Sequence, residues 1–112
     1  MKPKIKVQIV SEEGESFFGI GVAELLHHVD ETGSLNSACQ KMHLSYSKGW
    51  KIVNRAEKQL GHQFIERSSG GKNGGGSLLT EDGRRFLEQY DEYNKKVQEA
   101  AKKLYQTSFL FS

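Results

Sequence analysis

The sequence predicts an α+β domain that is mainly α-helical, and three observations indicate it. Apolar residues recur at helical spacing over several segments of the 112-residue chain. Polar caps, Ser34 and Thr80, mark two of the helix starts. The glycine-rich segment 68–77 separates two short apolar stretches of strand length. In chain order these elements predict a winged helix-turn-helix with an N-terminal β-hairpin and a long C-terminal helix.

The N-terminal residues alternate polar and apolar side chains with a period of two, which is typical of a half-buried strand. We expect this strand over Lys4–Val10. A turn at 11–15 and a second short strand within Phe17–Ile20 then complete a small hairpin. The residues expected on the inner face of the first strand are Ile5, Val7 and Ile9.

Three helices are predicted next. The first ends at Gly33, because glycine tolerates the left-handed backbone that a helix stop needs. Ser34 caps the second helix; after a tight turn, Ser45 or Ser47 caps the third, which ends at Gly61. The residues expected to face inward are Val22, Leu25, Leu26 and Val29, then Leu35, Ala38, Cys39 and Met42, then Gly49, Val53, Ala56 and Leu60.

A basic wing is predicted after the third helix. Two short strands, Phe64–Arg67 and Ser77–Leu79, flank the glycine-rich loop Gly70–Gly76. Glycine lets the backbone approach a phosphate or a groove edge closely. Lys72 within the loop and Arg67 at its base supply positive charge there.

The last helix is predicted to form a pairing surface. It begins at Thr80 and runs to about Tyr105, and its apolar stripe is close to a heptad repeat, which is typical of helices that associate. We therefore predict a homodimer, and we divide the chain into a winged helix-turn-helix domain with its hairpin, 1–83, and a dimerisation helix and tail, 84–112. The role of the apolar tail, Phe109–Phe111, stays open. The expected pairing residues are Phe86, Tyr90, Tyr93, Val97, Ala100 and Leu104.

The third helix is the predicted contact with duplex DNA. Lysine and arginine concentrate in the segment 41–58, where Glu57 is the single acid. The second helix of a helix-turn-helix enters the major groove, where base edges present distinct patterns of donors and acceptors. The candidate DNA-binding residues, on this helix, the preceding helix start and the wing, are Ser34, Ser37, Ser45, Tyr46, Ser47, Lys48, Lys51, Asn54, Arg55, Arg67 and Lys72.

These candidates have different expected roles. The serines at the start of the third helix suit phosphate or base edges, helped by free backbone N–H groups, and those at the preceding helix start suit the DNA backbone. Lys51 suits a guanine or a phosphate, and Asn54 suits adenine. Trp50 has two interpretations: a core residue that anchors the helix against the sheet, or a partly exposed residue whose indole N–H donates near the DNA backbone.

Composition and spacing disfavour other classes of protein. A net charge of +2 permits nucleic acid binding. The single cysteine excludes an internal disulfide, which suggests a reducing compartment. No stretch is apolar enough for a membrane span or a signal peptide, so we expect a cytoplasmic protein. Cys39 and His43 alone make a weak metal site, and Asn73 after Lys72 breaks the P-loop pattern. We therefore expect no enzyme activity, metal or cofactor; the alternative to DNA binding is a winged-helix module that binds another protein.

Several motifs also carry a resemblance to known regulators. They are Gly33-Ser34-Leu35, Leu44-Ser45-Tyr46, Trp50, Gly70-Gly71-Lys72-Asn73-Gly74-Gly75-Gly76 and Leu79-Thr80-Glu81-Asp82-Gly83-Arg84. With them the chain resembles the amino-terminal DNA-binding domain of the molybdate-responsive regulator (ModE) family. It is more loosely similar to LysR-type regulators, through Leu60-Gly61, Phe64-Ile65-Glu66-Arg67 and Leu79-Thr80-x-x-Gly83.

The resemblance implies a winged helix, operator binding and a dimer formed through the first strands and the long last helix. It also implies a second region that binds molybdate or tungstate. The chain stops where that region would begin, so no oxyanion ligand is carried over and the small-molecule effector stays unknown.

Overall fold

The computed structural model describes residues 1–68 and 76–109. Its elements occur in the predicted order, which confirms the fold class. The strands are β1 (Ile9–Val10), β2 (Ser16–Phe18), β3 (Ile65–Ser68) and β4 (Gly76–Leu79), and the helices are α1 (Ile20–Thr32), α2 (Leu35–Lys41), α3 (Tyr46–Leu60) and α4 (Glu81–Ser108). Two antiparallel hairpins, β1–β2 and β3–β4, flank the helix-turn-helix.

The first strand is shorter than predicted. Only Ile9 and Val10 pair with β2, and Ile5, expected on the inner face, is 43% exposed. The cause is α4, whose side chains bind the backbone of this segment. The Tyr90 hydroxyl donates to the carbonyl of Val7 over 2.7 Å, and the Gln98 amide donates to the carbonyl of Ile5 over 2.8 Å. The N-terminal residues are therefore held along a helix rather than in a longer ladder.

The helix boundaries follow the predicted caps. The Ser34 hydroxyl accepts from the backbone N–H of Ser37, and the Ser45 hydroxyl accepts from that of Lys48, each over 3.1 Å. Ser45, and not Ser47, is therefore the cap of α3. Gly33 ends α1 with a left-handed φ of 70°.

Aromatic rings from β2, from the residue before β3 and from α4 pack together in one core. The ring of Phe18 lies with its centroid 6.1 Å from Phe64, 4.8 Å from Phe86 and 5.0 Å from Tyr90. Tyr90 is 3% exposed and belongs to the core of its own protomer, and the half-buried Phe86 packs against that core. This corrects the predicted pairing stripe at Tyr90, since a buried ring is not free for a partner, and it assigns most of the packing of Phe86 to the protomer.

Two glycines allow backbones to come close together. A Cβ atom at Gly83, in the first turn of α4, would lie 2.6 Å from the carbonyl oxygen of Phe64. A Cβ atom at Gly49 would overlap the sulfur of Cys39, so α3 packs on α2 only because this position lacks a side chain. The missing side chains at Gly83 and Gly49 therefore let α4 approach Phe64 and let α3 approach α2.

The root of the wing is fixed to the helices. β3 and β4 pair from Ile65–Leu79 to Ser68–Gly76, and the Ser77 N–H donates to the carbonyl of Gly33 over 2.8 Å. The carboxylate of Glu57 accepts from the Phe64 N–H over 2.7 Å, which ties the last turn of α3 to the start of the wing. The rest of the predicted wing loop, with Lys72, lies outside the described residues.

The fold has two regions with different packing. We call β1–β4, α1–α3 and α4 up to Tyr90 the head, and residues 91–108 the projecting half of α4. The buried residues of α4 are Gly83, Leu87 and Tyr90, all in the head. Every residue from Asp91 to Ser108 is exposed or half-buried. The predicted boundary at residue 83 falls inside the first turn of α4, whereas the packing changes after Tyr90.

Candidate nucleic-acid interface

α3 separates an apolar face from a polar one, as its sequence predicts. Gly49, Val53 and Ala56 are buried against the core. The candidate DNA-binding side chains of the same helix are all exposed: Tyr46, Ser47, Lys48, Lys51, Asn54 and Arg55. Three of them, Lys51, Asn54 and Arg55, line one groove. We call the exposed surface formed by these six residues the α3 polar face.

Within the described part of the chain, no carboxylate forms an ion pair with the exposed basic side chains of α3. These side chains are Lys48, Lys51, Arg55 and Lys58. Glu15, from the turn of the N-terminal hairpin, lines a shallow groove of about 370 Å³ together with Lys51, Arg55 and Lys58. Lys48 lies outside that groove, and all four cationic residues are exposed, so a phosphate backbone would attract them.

The amino end of α3 offers donors to an anion. The N–H of Lys48 is used by the Ser45 cap, and the N–H of Gly49 donates to the carbonyl of Ser45. The N–H groups of Tyr46 and Ser47 precede these bonds, at the positive end of the helix dipole. Because the Ser45 hydroxyl only accepts in its cap bond, its own proton remains for a phosphate or base acceptor.

The start of α2 is held more tightly than the start of α3. Ser34 and Ser37 are half-buried, and the hydroxyl of Thr32 holds the cap residue, accepting from the Ser34 N–H over 3.3 Å and lying 3.0 Å from the Ser34 carbonyl oxygen. Thr32 belongs to the Glu-Thr-Gly-Ser turn at Glu31–Ser34 but was not among the predicted site residues, although threonine hydroxyls commonly bond nearby backbone groups. The two serines lie at the surface in a fixed position, so their contact with the DNA backbone stays a prediction.

Trp50 combines features of its two interpretations. The residue is half-buried and packs at the edge of the core. Its ring meets the exposed Tyr46 edge-on, with centroids 6.3 Å apart and planes at 90°. Edge-on aromatic pairs of this kind are favourable by about 0.5–1.5 kcal/mol beyond the area they bury. Trp50 therefore contacts Tyr46, one of the predicted DNA contacts, from the edge of the core.

Arg67 is the candidate DNA-binding residue of the wing that lies within the described residues. Arg67 is exposed and pairs with Ser77 in the β3–β4 ladder. Because Ser77 is bonded to the end of α1, the backbone of Arg67 has a fixed position relative to the helix-turn-helix.

The suggested Cys39–His43 metal pair does not form a site in the described part of the chain. Cys39 is buried, and burial raises the pKa of its thiol. His43 lies exposed at the turn between α2 and α3, with a φ of 56°. Among residues 1–68 and 76–109 there is no group of three or more histidine, cysteine, aspartate or glutamate side chains arranged to hold a metal. No helix formed by these residues is both long and apolar enough to cross a membrane.

Comparison with known proteins identifies the fold and the family. The model of the bacterial regulatory helix-turn-helix proteins of the lysR family matches residues 22–84. The chain belongs to this lysR family. In this lysR-family chain the matched segment runs from the first turn of α1 to the first turn of α4, and so contains α3, both strands of the wing and the caps described above.

Curated relatives extend the likeness to molybdenum-related regulators. The DNA-binding transcriptional dual regulator ModE of Escherichia coli K12 is 36% identical over 67 residues, which cover 60% of this chain and 26% of that protein. The molybdenum transport protein ModE of Azotobacter vinelandii is 31% identical over 80 residues, which cover 71% of this chain and 30% of that protein. The lysR-family chain thus resembles the ModE proteins, as its motifs predict, and spans between a quarter and a third of their length.

Solved structures agree with the fold. A crystal structure of the CbnR DNA-binding domain with DNA matches with a TM-score of 0.64 and 21% identity, over 82% of this chain and all of that one. A complex of the BenM DNA-binding domain with benA site 1 DNA matches with a TM-score of 0.60 and 18% identity, over 81% and 97% of the two chains. At this identity the likeness concerns the fold, and the lysR-family winged helix-turn-helix is confirmed.

Proposed function

We propose that this chain binds duplex DNA sequence-specifically as a homodimer and regulates transcription. The observation that carries the proposal is the α3 polar face, where exposed basic, amide and hydroxyl groups share one side of a capped helix. A face with these groups matches both tasks of a DNA reader, since cations neutralise phosphates and amides pair with base edges. Family membership supports the same function.

The side chains divide into readers and anchors. Asn54 is exposed and lines the same groove as Lys51 and Arg55, and its amide presents the donor and acceptor that adenine requires. Lys48 and Arg55 bind phosphates on either side of the groove. Arg67 at the root of the wing and Lys72 beyond the described strand bind a neighbouring stretch of backbone.

The projecting half of α4 joins two protomers. Its apolar side chains recur at spacings of three and four residues, and two of them, Tyr93 and Leu104, are 56% and 65% exposed. With Phe86 and Tyr90 assigned to the head, the pairing surface consists of Tyr93, Val97, Ala100 and Leu104. At a rise of about 1.5 Å per residue the projecting half extends about 27 Å, which is long enough for a two-helix pairing.

The test measures, by fluorescence anisotropy over a salt series, the affinity of the whole chain for genomic and for random duplex DNA. The same measurements are then made on the Asn54→Ala and Lys51→Ala variants. We expect tight binding that favours some genomic fragments and weakens as salt rises. Asn54→Ala is expected to reduce the ratio of specific to random binding by roughly tenfold, in the range of about 1–3 kcal/mol for a bidentate base contact. Lys51→Ala weakens binding to both DNAs if it binds phosphate, and reduces the ratio if it binds guanine.

The control is Gln106→Ala, which removes an exposed amide from the projecting half of α4. It should leave both affinities unchanged. Equal losses on specific and random DNA for Asn54→Ala would remove its base-reading role. Absence of binding at low salt would contradict DNA binding altogether and favour a winged-helix module that binds a protein.

A further inference from the structure

Two polar contacts join α1 to α4 across the surface of the head. The guanidinium of Arg84 donates to both carboxylate oxygens of Asp30, over 2.8 and 3.1 Å. The Nε2 atom of His27 lies 2.6 Å from a carboxylate oxygen of Asp91. We call these four residues the α1–α4 clamp. Neither contact was predicted from the sequence, and neither is needed for the α3 polar face.

The clamp fixes one alignment of the two helices. Along α1, His27 precedes Asp30. Along α4, Arg84 precedes Asp91. Each donor therefore meets a carboxylate only when His27 pairs with Asp91 and Arg84 with Asp30. A shift that brought Asp30 toward Asp91 would set two carboxylates against each other. The planar fork of Arg84 also restricts rotation, because both of its bonds need the guanidinium and the carboxylate in one plane.

The clamp lies where α4 leaves the head. Asp91 is the first residue of the projecting half, directly after the buried Tyr90. Apolar packing holds α4 through Leu87 and Tyr90 on one side, and the clamp holds it on the side of α1. Beyond this point the helix extends about 27 Å, so a rotation of about ten degrees at the clamp moves its tip by roughly 5 Å.

That displacement matters for a dimer that reads two half-sites. Recognition helices of a dimer enter the major groove one helical turn apart, or a multiple of it, and consecutive base pairs are separated by about 3.4 Å. In the proposed dimer the angle between head and α4 sets the separation of the two α3 helices. A movement of 5 Å exceeds one base-pair step, so the angle determines which spacing of half-sites is bound.

We infer that Asp30, Arg84, His27 and Asp91 are positioning residues that set the half-site spacing which the dimer selects. They act through the direction of α4 and touch no base. The inference rests on the proposed function, since it needs a DNA-binding dimer. It assigns specificity to residues that lie outside both the α3 polar face and the pairing surface.

The wild-type chain is first used to select the half-site sequence that it binds from random duplexes. Binding affinity is then measured for duplexes that carry two copies of this half-site, with the separation increased one base pair at a time. Asp30→Asn, Arg84→Gln and the charge-exchanged double variant Asp30→Arg with Arg84→Asp are compared with wild type. We expect the single variants to broaden the preferred spacing, or to move its optimum by about one base-pair step, while affinity for a single half-site is unchanged. The exchanged pair should return the profile toward wild type.

Lys96→Gln is the matched control, because it removes an ion pair of 3.2 Å to Glu92 that lies within α4 alone. Its spacing profile should equal that of wild type. Thermal unfolding of each variant, followed by circular dichroism, shows that the comparison is made on folded protein. Identical spacing profiles for wild type and both single variants would overturn the inference and leave DNA binding intact. Failure of wild-type protein to bind any duplex would instead contradict the proposed function.

Discussion

The head and the projecting half of α4 are stabilised in different ways, although one helix runs through both. In the head, α4 contributes Leu87 and Tyr90 to a core closed by Phe18 and Phe64. Among residues 1–68 and 76–109, the buried core contains no apolar side chain of the projecting half, and Leu104 is 65% exposed. The comparison indicates that the same kind of apolar pattern stabilises folding in the head and, in the proposed dimer, association through the projecting half. Substitutions should therefore affect unfolding in the head and assembly in the projecting half.

The largest expected effect is in the head, at Gly83. Gly83→Ala places a methyl group 2.6 Å from the Phe64 carbonyl oxygen, an atom of the backbone that cannot turn away. We expect a loss of unfolding free energy of about 3 kcal/mol, at the upper end for overpacking, measured by urea denaturation. Gly21→Ala is the control, because an added Cβ there meets no atom within 4 Å. It should be neutral or stabilising, and equal losses for the two variants would show that the close approach to Phe64 is not the cause.

The next effect is in the projecting half. Leu104→Asp puts a charge on the proposed pairing surface, where Leu104 is 65% exposed in the protomer. We expect dimer dissociation to increase by about a hundredfold, or about 2.8 kcal/mol, with little change in the unfolding of the protomer. Sedimentation equilibrium measures the association. Gln106→Asp introduces the same charge away from the stripe and should leave the dimer intact; a Leu104→Asp protein that remains fully dimeric would contradict pairing through this surface.

A smaller effect is expected where the N-terminal segment meets α4. Tyr90→Phe removes the hydroxyl that donates to the Val7 carbonyl over 2.7 Å. The loss should be about 1 kcal/mol of unfolding free energy, the usual net value of one hydrogen bond. Tyr93→Phe serves as the comparison, since the Tyr93 hydroxyl forms no hydrogen bond with the described residues. If both variants unfold alike, the bond to Val7 does not stabilise the N-terminal segment.

The smallest effect concerns acid stability. The hydrogen bonds from Arg84 hold the pKa of Asp30 below its ordinary value of 3.8, against the opposing effect of burial. A carboxyl whose pKa is lower in the folded state stabilises it above the unfolded pKa and loses this contribution as the pH falls through the folded pKa. We expect the melting temperature of wild type to exceed that of Asp30→Asn near neutral pH, and the difference to shrink below about pH 4. A difference that is constant with pH would contradict an ionised Asp30–Arg84 pair.

Local signals in the sequence predicted most of the fold. Caps such as Ser34 and Thr80, the glycine stop at Gly33 and the amphipathic face of α3 all depend on neighbouring residues, so their effect can be read along the chain. The same holds for the α3 polar face, because the periodicity that buries Val53 also exposes Asn54.

The remaining features depend on partners far away in the sequence. The first strand was predicted too long because nothing near Ile5 shows that Gln98 binds its carbonyl. Phe86 and Tyr90 fit the heptad stripe equally well, and they pack in the head because both contact Phe18 and Phe86 also stacks on Phe64. The α1–α4 clamp joins residues from two distant helices, whose packing angle no local pattern fixes.

The central claim is that the amino end of α3 lies in a DNA groove while α4 joins two heads. Iron–chelate cleavage tests it most directly, with the reagent attached to Ser47→Cys; the native Cys39, at 1% exposure, stays unlabelled. We predict two narrow clusters of strand cleavage about 10–10.5 base pairs apart, or a multiple of that distance, and none with the reagent at Gln106→Cys. Diffuse cleavage from Ser47→Cys, or the same pattern from both positions, would contradict the account.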